Sequence, residues 1–112
     1  MADRVHRITM FKLPKSEDQQ VMIKAYEKLW AAQPKRDGKP YILSMTAGPA
    51  EANERSQGYT FVAKSEFASV EDMKFYDDEC EVHMELKKTV MSLQLDGKPL
   101  MVYLKPKIVV GA

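Results

Sequence analysis

Residues Val5 to Leu13, VHRITMFKL, constrain the fold more than any other stretch of the chain. The run reads as a β-strand and stops at Pro14, which has no amide to donate to a ladder. Side chains on a strand alternate between two faces. One face here holds Val5, Arg7, Thr9, Phe11 and Leu13, the other His6, Ile8, Met10 and Lys12. Both carry apolar groups, so this strand needs cover on both sides.

The remaining signals arrange themselves around it. Ser16 opens a helix, with Gln19 at capping-box spacing. Met22, Ala25, Tyr26 and Leu29 recur at helical spacing, with Trp30 beside them, until Pro34 and Gly38 end the pattern. Pro34 to Lys39 reads as a basic loop. Tyr41 to Thr46 is a second strand, and a polar connection leads to a third, Tyr59 to Phe67. Ser69 caps a short helix carrying Val70, Met73 and Tyr76, and the acidic run Asp77, Asp78, Glu79 marks a break. A longer helix carries Val82, Leu86, Val90 and Leu93. Asp96-Gly97 is a turn signal, and Leu100 to Leu104 is the last strand, ended by Pro106.

The order is βαββαβ, the ferredoxin-like split βαβ arrangement. It predicts an α+β fold with a four-stranded antiparallel sheet and both helices on one face. The other face is then bare, and either set of the first strand is too apolar to meet water. A two-fold homodimer, sheet against sheet, is the expected solution: two subunits forming a dimeric α+β barrel, with the apolar tail 107–112 strapped across the partner.

Composition agrees with one domain over 1–112, its core at about 4–106. The chain has 112 residues, 45% of them hydrophobic and 29% charged, a balance that excludes a disordered chain. Seventeen basic against sixteen acidic residues leave +1, too little field to capture polyanions, so no nucleic-acid partner is expected. No apolar run approaches the ~20 residues that cross a bilayer, so no membrane partner is expected either. The start, Met-Ala-Asp-Arg, lacks the apolar stretch of a signal peptide, and Cys80 is the lone cysteine. A cytoplasmic protein is the expectation. Eight methionines, five tyrosines, four phenylalanines and a tryptophan are many large side chains for so small a domain. Some of them should face a ligand or a second subunit.

The opening VHRITMFKLP and the stretch GPAEANERSQGYTFVAKSEFASVEDMKFY, followed by Tyr76 and His83, resemble the stress-responsive A/B barrel domain family. The resemblance covers roughly Val5 to Pro106. It implies the dimeric barrel fold. Members vary in role: some are stress-induced stable dimers, and one branch, similar to plant olivetolic acid cyclase, closes linear polyketides into aromatic rings. Carried over, His83 would be the catalytic base and Tyr76 its partner. The substrate-binding walls would be Ile8, Met10, Met22, Tyr26, Phe61, Ala63 and Leu86, with His6 at one edge.

The chemistry of these residues is consistent with several outcomes. A histidine takes and returns a proton near neutrality, and a tyrosine hydroxyl can polarise a carbonyl. Seven residues apart, His83 and Tyr76 share a helix face only if that helix is continuous. The alternative is a buried histidine satisfied by a local hydrogen bond beside a core tyrosine. Strand alternation puts His6 with Ile8 and Met10, pointing toward the helices. Glu79 and His83 are one turn apart, but no further ligands converge to make a metal site. The acids around them read as a solvated helix start. Most of the methionines read as core filling. No phosphate-binding glycine loop, nucleophile elbow or paired-cysteine motif is present, and no cofactor is expected. Three functions remain in view: binding of a small hydrophobic or aromatic molecule between sheet and helices, a cyclase-like enzyme, and a non-catalytic stress protein.

Overall fold

The computed structural model describes residues 4–111; the ends of the expected domain, residues 1–3 and 112, lie outside the described range. Strand β1 (Val5–Phe11) leads to helix α1 (Ser16–Ala31). A short hairpin, β2 (Lys35–Arg36) and β3 (Lys39–Pro40), precedes β4 (Ile42–Pro49). A 3-10 turn at Glu54–Ser56 leads to β5 (Phe61–Phe67), then α2 (Val70–Asp78), α3 (Glu81–Ser92) and β6 (Leu100–Leu104). Four strands form one antiparallel sheet in the order β4-β5-β1-β6. This is the ferredoxin-like α+β fold that the element order predicts.

The core lies between this sheet and the helices. It gathers Val5 and Phe11 from β1, Phe61, Ala63 and Phe67 from β5, and Met22, Tyr26, Leu29, Met73, Tyr76, Leu86 and Val90 from the helices. Register fixes which side chains meet there. Val5 pairs with Phe67 and Phe11 with Phe61, so the bulky residues of both strands stand on the same face. Along β1 and β5 buried residues alternate strictly with half-buried ones.

Local chemistry explains most boundaries. The Ser69 hydroxyl accepts from the Asp72 amide at 3.1 Å and starts α2. The break falls where the acidic run sits, between Asp78 and Glu81. Two expectations fail. Ser16 and Gln19 form no capping box: Ser16 is already helical, and the Gln19 side chain donates to the Leu13 carbonyl at 2.9 Å. Gln19 thereby ties the helix start to the end of β1. The basic loop 34–39 is instead a tight hairpin, because Asp37 and Gly38 both take positive φ (53° and 78°), the pair a two-residue turn needs.

The largest correction concerns the faces of β1. His6, Ile8 and Met10 point away from the helices, while Val5, Arg7, Thr9 and Phe11 point beneath them. The reason is that the polar ends of Arg7 and Thr9 find partners under the helices, so this set, which includes Val5 and Phe11, takes the covered side. The bare face is therefore built from Ile8, Met10, Val62, Leu100, Val102 and Leu104 by register. At one end it turns polar. Glu66 accepts from the Ser44 hydroxyl at 2.5 Å and from Arg4 at 3.2 Å, with His6 Nε2 at 3.4 Å. The Ser44 bond, ahead of Arg4, holds the Glu66 carboxyl below the usual carboxylate range.

Candidate functional site

A cleft of about 190 Å³ opens between the sheet and helices α1 and α3. Its walls are Arg7, Thr9 and Phe11 of β1, Tyr26 of α1, and His83, Leu86, Lys87, Val90 and Met91 of α3. Helical spacing explains the α3 wall: His83, Leu86, Lys87 and Val90 lie three or four residues apart and so line one face. Strand alternation explains the floor. The register of β6 places Met101 and Tyr103 on the same side, opposite Thr9 and Arg7. Both are exposed, beyond the residues that line the cleft.

His83 is 3% exposed, and its Nδ1 lies 2.8 Å from the Tyr76 carbonyl. A carbonyl only accepts, so a neutral ring must carry its proton on Nδ1, leaving Nε2 with a free lone pair. Burial pushes the imidazole down to about 3, reinforced by the nearby Arg7 and Lys87 charges and opposed by the hydrogen bond to Tyr76. The ring is thus an acceptor at neutral pH. The break between α2 and α3 does not separate Tyr76 from His83. Their rings stack with centroids 3.7 Å apart at 11°.

Tyr76 itself is 1% exposed and is not among the residues lining the cleft. Burial raises its hydroxyl well above the ordinary tyrosine value. The cleft's tyrosine is Tyr26, stacked on Phe61 at 6.2 Å and raised to about 12 by burial, against an opposing pull from Arg7.

Behind the two rings lies a charged network that the sequence reading passed over. The Arg7 guanidinium pairs with Asp77, Nη2 to Oδ1 at 2.8 Å and Nε to Oδ2 at 3.4 Å. It also donates to Thr9 Oγ1 at 2.8 Å and lies 5.3 Å from the centre of the Tyr76 ring. Asp77 Oδ1 stands 4.0 Å from His83 Nδ1. Lys87 closes the end of α2 by donating to the Asp77 carbonyl at 2.6 Å. Asp77 is thus not part of a solvated helix start. It is the counter-ion of a nearly buried arginine. The signal was present, since Arg7 has the same parity as Val5 and Phe11, and an arginine between core positions calls for an acid.

Of the other candidate residues, Tyr26, Leu86 and His83 line the cleft. Met22 and Phe61 are fully buried core, and Ala63 is buried on the helix side of the sheet without reaching the cleft. His6, Ile8 and Met10 stand on the opposite face and cannot reach it. Among the described residues, no three His, Cys, Asp or Glu side chains converge to hold a metal. No helix among them is long and apolar enough to cross a membrane.

Comparison with known proteins adds four findings. The model of the Stress responsive A/B Barrel Domain matches residues 5–96. A Gibberella zeae protein, the Fusaristatin A biosynthesis cluster protein, is 54% identical over 112 residues, covering 100% of this chain and 80% of its own length. Among solved structures, the hydroxynitrile lyase of Passiflora edulis superposes with a TM-score of 0.75 at 15% identity, covering 99% of this chain and 100% of that one. A dimeric ferredoxin-like protein of unknown function from Jannaschia sp. CCS1 gives a TM-score of 0.73 at 15% identity, covering 92% and 99%.

Proposed function

The chain belongs to the stress-responsive A/B barrel domain family, and from that premise we propose that it is a homodimer binding a small hydrophobic or aromatic molecule in the cleft beneath α1 and α3. The single observation that carries this reading is the make-up of the cleft. Phe11, Leu86, Val90 and Met91 offer apolar contact, while the His83 acceptor, the Arg7 and Lys87 cations and the Thr9 and Tyr26 hydroxyls supply a few fixed polar points. Apolar walls with sparse, fixed polar groups are the usual form of a small-molecule site. The relative named for a biosynthesis cluster supports an organic metabolite as the ligand. Self-association rests on the bare sheet face and on a structural neighbour described as dimeric. The lone buried Cys80 suits a reducing cytoplasm.

A second reading, a polyketide-cyclase-like enzyme, draws on one feature: the Tyr76 carbonyl fixes the tautomer of His83. In that reading Nε2 accepts the proton, and Tyr76 orients the ring by its carbonyl and by stacking. The hydroxyl available to a substrate is that of Tyr26. With the imidazole held near 3, His83 gains basicity only if a ligand brings compensating negative charge beside it.

Titration calorimetry with aromatic acids and short polyketide mimics tests both readings. Leu86→Trp, which fills the cleft, should abolish binding of any ligand that the natural protein holds. If no compound binds, or if Leu86→Trp binds as well as the natural protein, the cleft is not the site and a structural role stands. Turnover of a bound mimic should fall on the order of 100-fold or more in His83→Ala if the histidine moves a proton. Unchanged turnover rejects the enzyme reading and leaves the binding reading intact.

A further inference from the structure

Trp30, the chain's single tryptophan, is 47% exposed on the outer side of α1. It stands between two hollows. One, of about 390 Å³, is walled by Ile23, Tyr26, Glu27, Trp30 and Ala31 of α1 and by Met45 and Ala47 of β4. The other, of about 140 Å³, is formed by Trp30, Gln33, Pro34, Pro40 and Ile42. The two share Trp30 as a wall, and the larger is a mostly apolar groove between α1 and β4 with one acid, Glu27, on its wall. Met45 and Ala47 lie on the helix side of β4 by register, yet Ala47 is exposed, so no helix covers this end of the strand. Among the described residues β4 pairs only with β5, so its outer row of amides and carbonyls is free.

At the other edge of the sheet, β6 runs on into Lys105-Pro106-Lys107-Ile108-Val109-Val110. Ile108, Val109 and Val110 are 75–84% exposed. Three consecutive β-branched residues in water are costly, and they favour extended backbone. Their protomer gives them no cover, because its groove lies beyond β6, β1 and β5, at the far edge of the sheet.

We infer that the tail of a second copy docks in this groove, as an added strand on the free edge of β4, and seals Trp30. Four features support this occupant. The groove is apolar where the tail is apolar. Its acid, Glu27, answers Lys105 and Lys107 of the tail. The free edge of β4 offers backbone partners to a segment of strand-forming residues. And when two such sheets face each other about a two-fold axis parallel to their strands, the β6 end of one, where the tail begins, lies beside the β4 edge of the other. From Lys105 to Gly111 an extended tail spans about 23 Å, enough to run along most of the eight-residue β4. Docking also bears on the cleft. Tyr26 lines both the cleft and the groove, so the partner's tail would close one side of a tyrosine whose other side faces the ligand. The inference rests on the proposed dimer and goes beyond it, because it names the groove that receives the tail.

Trp30 reports on this directly, since no other tryptophan contributes. The full chain should sediment as a dimer with blue-shifted emission shielded from acrylamide. Removing residues 107–112 should shift the emission to the red and remove the shielding. A peptide of residues 105–112 should reverse both changes, and the same peptide carrying Val109→Glu should not. Because the tail is exposed in its own protomer, neither change should unfold the chain, which circular dichroism checks. A full chain that is dimeric but whose Trp30 emission is indifferent to the tail overturns the inference and leaves the dimer standing. A full chain that sediments as a monomer overturns the dimer, and the inference with it.

Discussion

Strands β1 and β6 are hydrogen-bonded neighbours, and β6 is the more apolar of the two, yet β1 is the one that is buried. Along β1 every second residue is buried, from Val5 to Phe11, whereas all five residues of β6 are exposed. The difference lies in what sits above them. The β1 side chains that point upward end beneath the helices, among Tyr26, Tyr76 and His83, and their polar members are paired there. Met101 and Tyr103 point the same way from β6 but stand where no helix covers them. The hydrophobic effect acts on area removed from water, so an apolar strand stabilises a protomer only where that protomer supplies a cover. What β6 leaves bare is apolar surface that its own chain does not cover.

The comparison can be broken in three places. The largest effect belongs to the covered side. Phe61 is 0% exposed and meets both Phe11 and Tyr26, so Phe61→Ala should cost about 3–5 kcal/mol in urea unfolding. A loss under about 1 kcal/mol would mean that this core repacks freely.

The next effect is on acid. His83 is held at about 3 in the folded state against 6.5 for a free imidazole, so the unfolded chain binds the extra proton between those values. Its contribution is complete above pH 6.5 and is lost as pH falls toward 3, at about 1.4 kcal/mol per unit. Urea melts across that range should show this slope, and His83→Phe should flatten it. An equal slope in both proteins would assign the acid sensitivity to other groups.

The smallest effect on the protomer should come from the exposed strand. Val102→Asp should change protomer unfolding by no more than about 0.5 kcal/mol, since Val102 is 45% exposed. The same change should weaken self-association by at least about tenfold, or 1.4 kcal/mol, as read by sedimentation. If it destabilises the isolated protomer instead, β6 has cover within its own chain and the contrast with β1 fails.

Much of this was legible in the residues. The order of elements, the Ser69 cap, the break at Asp77–Glu79 and the excess of apolar side chains all follow from short-range rules, because period, capping and proline placement act within a few residues. The candidate site was legible in part. His83, Tyr26 and Leu86 reach the cleft, while Tyr76 serves from behind through its ring and its carbonyl. His6, Ile8 and Met10 were placed on the wrong face. Alternation separates two sets of side chains without saying which set faces the helices, and both sets here contain polar and apolar members.

By itself the sequence determined that this chain makes a βαββαβ sheet with more apolar surface than one layer of helices can cover. Only the tertiary structure decided which face of β1 looks inward. That choice rests on a contact between Arg7 and Asp77, seventy residues apart. A guanidinium can be buried only where an acid meets it, and no local pattern records a meeting at that distance. This pairing lies along the floor of the cleft, beneath a His83 that burial keeps neutral.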